Sequence, residues 1–140
     1  MELNTAISGL GAAEQGAERL TRGGLISAIL LGLVGAVVIF VTPGFLAVIA
    51  QKTGFNDDQL GYLAAWDINA MGVTIGLSTF ALSRVPWRVT VGLGLALIIS
   101  GNILTAAVVS FPAMAAARVV AGAGEGIAIG FAFAALGRAK

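Results

Sequence analysis

The sequence contains neither cysteine nor histidine. It therefore has no disulfide, no thiolate or imidazole metal site, and no catalytic triad built on either side chain. Charged residues are also scarce, since they make up 11% of the 140 residues, against about 25% in soluble domains. A small soluble domain has a large surface for its volume, and so few charges cannot cover that surface in water. The composition therefore excludes an ordinary soluble domain.

Hydrophobic residues make up 58% of the chain, its mean hydropathy is +0.97, and 20 residues are glycine. This composition is typical of integral membrane proteins, in which apolar side chains face lipid and glycine is tolerated within helices. The formal net charge of +1 provides no basic surface for nucleic acid. We therefore expect the lipid bilayer, and not DNA or RNA, to be the partner of this surface.

Charges and turn residues interrupt the apolar sequence at intervals that predict four membrane spans. About 20 apolar residues in a helix cross the hydrocarbon core. The predicted all-α domain covers residues 23–140, and its spans are about 24–50, 59–83, 89–109 and 113–136. Pro43 is expected to bend or tilt the first span. Residues 56–58 are suited to cap the second helix at its N-terminus.

The distribution of lysine and arginine predicts that both termini are cytoplasmic. Residues 1–22 form a polar tail of mixed charge, which can lie on the membrane surface. The cationic residues that should share the cytoplasmic side are Arg19, Arg22, Arg84, Arg88, Arg138 and Lys140. The opposite loops contain only Lys52, offset by Asp57 and Asp58, so the positive-inside rule orients the chain, and we expect a bacterial inner membrane. A cleaved signal peptide is the alternative for residues 1–50, but the acidic tail and the lack of a clear cleavage site disfavour it.

Three ionisable residues remain inside the predicted spans: Asp67, Arg118 and Glu125. Each costs at least about 2.5 to 3.5 kcal/mol at mid-membrane, so each is a candidate functional residue. Asp67 and Arg118 lie at similar depths, about 13 and 10 Å from the outer ends of their helices. Glu125 follows Arg118 by seven residues and is rotated from it by only about 20°. We therefore expect Arg118 to meet Asp67, Glu125 to lie deeper on the same face, and Asn102 to lie in the same outer half.

Polar and small residues divide the second helix into two faces. Asp67, Thr74 and Ser78 lie within about 40° of one another. The small-xxx-small spacing that lets helix backbones approach closely in lipid occurs at Gly72, Gly76, Gly122, Gly126 and Gly130. Because the Gly72/Gly76 pair lies opposite the polar stripe, the two patterns together predict helices packed around an aqueous pocket.

Two interpretations of the charged residues remain open. In the first, Asp67 and Arg118 form a structural ion pair, with Glu125 as a third member or a protonated acid. In the second, the same residues, with Asn102 and Thr74, line a pathway that orients a substrate or carries protons. Glu125 favours the second interpretation, because it is predicted to be buried without an adjacent cation.

Three short motifs occur in order along the chain. The first is GFNDDQLGYL at residues 54–63, the second is the turn SRVPWR at residues 83–88, and the third is RVVAGAGEG at residues 118–126. They resemble three parts of a major facilitator superfamily transporter. These are its first outer loop with the start of helix two, the cytoplasmic loop between helices two and three, and the R-x-x-x-G-x-G pattern of helix four. Arg84 and Arg88 match the cationic positions of that cytoplasmic loop, whereas Ser83 stands where the family has aspartate.

The resemblance implies more than the residues alone. In proton-coupled members the arginine of the fourth helix is implicated in proton transfer, which implies that role for Arg118. The family builds its transport path from two six-helix halves and holds its substrate between them at mid-membrane. The chain would then correspond to helices one to four, and we expect it to need further helices in cis or an oligomer.

The leading hypothesis is a secondary transporter, or part of one, that moves a small organic solute with proton coupling. One alternative is a membrane interaction protein that transports nothing and uses its glycine faces for assembly. Another is a small multidrug-type subunit of four helices that works as a dimer, although the glutamate usual in its first helix is absent. We expect no enzymatic activity, because no nucleophile has an activating base nearby, and we expect no cofactor or metal.

Overall fold

The computed structural model describes residues 22–81 and 85–137, which form four helices. They are α1 (Arg22–Thr53), α2 (Asp57–Ala81), α3 (Trp87–Ala107) and α4 (Phe111–Gly137). The predicted all-α class is confirmed for this part of the chain, and the helices correspond in order to the predicted spans. The polar tail up to residue 21, Arg84 and the last three residues lie outside the described residues.

Three of the four helices, α1, α3 and α4, are long and apolar enough to cross a membrane. They indicate an integral membrane protein. The 25-residue helix α2 is not among the three. Its sequence is less apolar, because Asp57 and Asp58 occupy its first turn and Asp67 and Asn69 follow along its length.

The turn between α1 and α2 has a defined hydrogen-bond pattern at both helix ends. Gly54 has a φ of 71° and donates its N–H to the Ala50 carbonyl at 2.8 Å, which closes α1 with a left-handed residue. The Asn56 side-chain oxygen accepts the N–H of Gln59 at 2.9 Å, and the Gln59 side chain accepts the N–H of Asn56 at 3.1 Å. This reciprocal capping box confirms that Asn56 caps α2.

Prolines account for where α3 and α4 begin. α3 begins two residues earlier than expected, because the Pro86 carbonyl already accepts the N–H groups of Val89 and Thr90. α4 also begins earlier, at Phe111, and includes Pro112 in its first turn, where a missing N–H leaves no helical hydrogen bond unmade. Pro43 lies inside α1, which continues through it without a break.

Helix α4 is the centre of the bundle. It packs against α1, α2 and α3, whereas α1 and α2 barely touch. Between α1 and α3 the backbones stay apart, and Lys52 of α1 donates a hydrogen bond to the Ala106 carbonyl of α3 at 2.6 Å. In the most apolar stretch of α4, 56% of the residues are buried, compared with 11% in α1 and 22% in α3. A small apolar core of Ile49, Leu63 and Met114 closes the end of the bundle at the α1–α2 turn.

Glycine spacing predicts one of two interfaces correctly. Gly122, Gly126 and Gly130 on α4 lie directly against α2, so the ladder predicted from spacing packs against a neighbouring helix. The packing expected for Gly72 and Gly76 is wrong for the described bundle, since a Cβ at either position would meet no atom within 4 Å. The reason is the orientation of α2, which turns its polar stripe, and not its glycine face, toward α4.

Candidate functional site

The ionisable residues of α2 and α4 meet in the interior of the bundle. Arg118 donates a hydrogen bond through Nη2 to Asp67 Oδ2, and the two side chains form an ion pair. Glu125 Oε1 lies 3.9 Å from the same nitrogen. The structure therefore brings together the three residues that the depth and rotation of their helices predicted.

Helices α3 and α1 complete the surroundings of the guanidinium. Arg118 Nη1 donates to Asn102 Oδ1 at 3.4 Å, and the Asn102 amide donates to the Ile98 carbonyl at 2.8 Å. From the α1 side, the Phe45 ring lies with its centroid 5.1 Å from the guanidinium carbon, a cation–π contact. Phe45 was missed by the sequence analysis, since an aromatic residue in an uncharged span carries no periodic signal that singles it out. All four helices thus contribute to holding Arg118.

The cluster is almost completely removed from solvent. Asp67, Arg118 and Glu125 expose 5%, 3% and 2% of their surface. Two acidic oxygens, Asp67 Oδ1 and Glu125 Oε1, are buried and have no hydrogen-bond partner among the described residues. One cation is therefore shared by two carboxylates, and each carboxylate retains an acceptor atom that is not used.

Close contact between α2 and α4 is what allows this convergence. A Cβ at Gly122, one turn after Arg118, would collide with the backbone carbonyl of Asp67. A Cβ at Gly126 would collide with the Thr74 hydroxyl and the Met71 carbonyl. Glycine at these two positions therefore lets the α2 backbone approach α4 closely enough for the ion pair to form.

Thr74, a predicted pathway residue, lies between α2 and α4 and does not line the cavity beside the cluster. Its hydroxyl packs against Gly126 and donates to the Ala70 and Met71 carbonyls within its own helix, at 2.9 and 3.1 Å. Short polar side chains often form such bonds inside helices. Thr74 is therefore part of the helix interface.

Of the two arginines expected in a cytoplasmic loop, Arg84 and Arg88, only Arg88 is among the described residues. Arg88 lies in the first turn of α3, where its guanidinium carbon is 5.5 Å from the centroid of the Trp87 ring. Trp87 in turn lies 6.2 Å from the Phe131 ring of α4. Arg84 falls outside the described residues. The described part of this loop is thus tied to α4 by aromatic contact.

A partly open cavity of about 330 Å³ lies beside the cluster, between α1, α2 and α4. Its volume is at the lower end of the range for small-molecule sites. The residues lining it are Ile39, Thr42, Pro43, Leu46, Ala64, Asp67, Ile68, Met71 and Glu125. Both acids of the cluster line the cavity, whereas Arg118 and Asn102 do not. The wall is therefore apolar except for Thr42 and two carboxylates.

The chain was also compared with known proteins. No protein-family model, curated protein sequence or solved structure matches it. Its function must therefore be inferred from the geometry of the cluster and the cavity.

Proposed function

We propose that this protein is a proton-coupled secondary transporter of a small organic solute, of the major facilitator type, or a part of such a transporter. In this proposal α2 is the fourth membrane span, both termini are cytoplasmic and the membrane is a bacterial inner membrane. One observation carries the proposal: two buried carboxylates, Asp67 and Glu125, line a cavity of small-molecule size within a helical membrane bundle. Ionisable groups in such positions typically mark solute and proton pathways.

The composition of the cluster supports this function over a purely structural role. An ion pair that only joined α2 to α4 would need Asp67 and Arg118 and nothing more. Glu125 adds a second carboxylate 3.9 Å from the guanidinium, which makes the buried charge unbalanced when both acids are ionised. A structural network gains nothing from this surplus, whereas a group that binds and releases a proton requires it.

The position of Arg118 suggests how a proton could be coupled to a change in the bundle. When Glu125 is ionised, it competes with Asp67 for the one guanidinium. When Glu125 is protonated, that attraction is lost and Arg118 is left to Asp67 and Asn102. Protonation of Glu125 would thus shift the Arg118 guanidinium from a carboxylate of its own helix, α4, toward Asp67 of α2. These are the two helices that pack most closely.

One observation favours a second candidate, a membrane interaction protein that transports nothing. The face of α2 that points away from α4 exposes Ile68, Gly72 and Val73. A small residue between apolar ones is a surface on which another helix can pack closely in lipid. Further helices in cis, or a second copy of the chain, would cover this face under either function.

Solute-driven proton movement in proteoliposomes tests the transporter. The purified protein is reconstituted with the pH-sensitive dye pyranine inside, and amines, amino acids, sugars and carboxylates are added outside in turn. We expect at least one class to change the internal pH, and the response to be lost in Glu125→Gln. The matched control is Asp58→Asn, which makes the same acid-to-amide change at an exposed position in the first turn of α2. A response that survives Glu125→Gln, or no response to any class, would overturn the proposal.

A further inference from the structure

The charge of the buried cluster points to what the cavity binds. Asp67 and Glu125 can each carry a negative charge, and Arg118 is the only described cation within reach of them. With both acids ionised, the cluster therefore has a net charge of −1. An uncompensated charge in a low-dielectric interior is costly, so one more positive charge would neutralise the cluster and stabilise it.

The cavity is the place where that charge can enter. Arg118 lies behind the two acids, held by Asn102 and Phe45, and does not line the cavity. The acids do line it, and Asp67 Oδ1 and Glu125 Oε1 are the buried acceptors that have no hydrogen bond within the described chain. Of the three charged side chains, only the two acids therefore border the cavity.

The rest of the wall decides between kinds of cation. A metal ion such as Ca²⁺ or Mg²⁺ needs about six or more oxygen ligands to replace its water. Apart from its two acids and Thr42, the cavity is lined by aliphatic side chains, proline and methionine. The Thr42 hydroxyl is already hydrogen-bonded to the Val38 carbonyl at 2.8 Å. Such a wall suits an organic cation with an apolar body and does not suit a bare metal ion.

We propose that the cavity binds a monovalent organic amine, whose ammonium group is held by Asp67 and Glu125 and whose apolar body packs between α1 and α2. This inference rests on the proposed transport function and names its substrate class. The cavity volume of about 330 Å³ limits the body to roughly one aromatic ring with a short chain.

Helix α1 offers a third acceptor on the same wall. Pro43 has no N–H, so the Ile39 carbonyl receives no helical hydrogen bond from that position. Both residues line the cavity. An ammonium group has three N–H donors, enough for one hydrogen bond to each of the two acids and one to this carbonyl. Pro43 and the acid cluster would thus serve one ligand.

Binding of the amine should compete with binding of one proton. The titratable groups that face Glu125 are Asp67 from α2 and Arg118 from its own helix. The described parts of α1 and α3 contribute no ionisable side chain there, only Phe45 and Asn102. Since one positive charge balances the cluster, a proton on an acid and an ammonium in the cavity are alternatives.

Phenethylammonium is the probe for the test, and its binding is measured by calorimetry on the protein in lipid nanodiscs. Two analogues of the same size, 2-phenylethanol and 3-phenylpropionate, replace the cation with a neutral and an anionic group. We expect the amine to bind, both analogues to bind at least about 30-fold more weakly, and acidification to weaken the amine.

Two variants tie the binding to the acids. Glu125→Gln keeps the Asp67–Arg118 pair, so it should remain folded by circular dichroism while weakening the amine at least about 30-fold. Asp58→Asn should bind the amine as the parent protein does. The inference is overturned if the amine does not bind, if the alcohol or the acid binds as tightly, or if Glu125→Gln leaves the affinity unchanged.

Transport and binding can fail separately. Amine binding in nanodiscs without any proton movement in proteoliposomes would support the cation site and overturn the transporter. Proton movement driven only by sugars or carboxylates, with no amine binding, would support the transporter and overturn the cation site.

Discussion

Helices α1 and α4 are both apolar enough to span a membrane, yet they have opposite roles in the bundle. α1 is the more hydrophobic of the two, and it is mostly exposed. Its large side chains point outward, and Phe40 has 84% of its surface exposed. α4 contains the two buried charges of the three apolar helices, Arg118 and Glu125, and it is the most buried of them.

The difference shows that hydrophobicity does not decide burial in this protein. Lipid is as apolar as a leucine side chain, so an apolar surface gains little by leaving it. Small residues let two helices pack closely, and a buried charge is stabilised when packing gives it a partner of opposite charge. α4 has both, and three helices therefore pack around it, whereas α1 has glycines and alanines but no buried charge, and it mostly faces outward.

Removing the positive charge of Arg118 should have the largest effect on stability. Arg118→Met leaves Asp67 and Glu125 buried without a cation, and we expect the free energy of unfolding to fall by about 3–5 kcal/mol. The measurement is reversible unfolding by dodecyl sulfate in maltoside micelles, followed by circular dichroism.

A double variant isolates the ion pair. Adding Asp67→Asn to Arg118→Met removes one of the stranded carboxylates, so the double variant should be less destabilised than the sum of the two single variants. Additive losses would mean that Asp67 and Arg118 do not depend on each other.

Two glycine-to-alanine variants compare a packed position of α4 with an open position of α2. The packed position should give an effect of intermediate size. Gly122→Ala places a methyl group against the Asp67 backbone carbonyl, which cannot move aside as a side chain can. We expect a loss of about 1–3 kcal/mol in unfolding free energy. Gly72→Ala is the matched control, because its methyl group meets nothing within 4 Å, and the better helix propensity of alanine should stabilise by up to about 1 kcal/mol. Equal effects at the two sites would contradict the packing described here.

The smallest effect is expected on the exposed side of α1. Phe40→Ala removes a large side chain that contacts little in the bundle, so unfolding free energy in micelles should change by no more than about 0.5 kcal/mol. The same unfolding assay measures it. A loss of several kcal/mol would show that another helix or another copy covers Phe40 in the folded protein.

The convergence of the site was predictable because helical geometry fixes depth and rotation. Asp67 and Arg118 are at similar depths in neighbours that run parallel, and a seven-residue interval returns Glu125 to the same face. The capping box at Asn56 was also predictable, since it depends on residues three apart. In each case the prediction needs only the geometry of single helices or the sequence of one turn.

Features that depend on which helix lies opposite could not be predicted. Gly72/Gly76 and Gly122/Gly126 have the same spacing, and only the rotation of α2 decides which pair is packed. Thr74 shares a face with Asp67 but lies against Gly126 and not on the cavity. Phe45 approaches Arg118 from a helix whose charges, Arg22 and Lys52, lie at its two ends and do not orient its middle. Periodicity identifies a face, but it does not identify the neighbour.

The central position of α4 has a consequence for biosynthesis. Ribosomes make the described helices in chain order, so α4 is the last of the four to emerge. The first three have almost no contact with one another and gain their packing partner only then. In the proposed four-span arrangement, Asp67 enters the membrane before Arg118 can reach it, with its acid either protonated or held near water. Assembly of this bundle waits for its fourth helix, whose arrival both joins the other three and neutralises the charge left by the second.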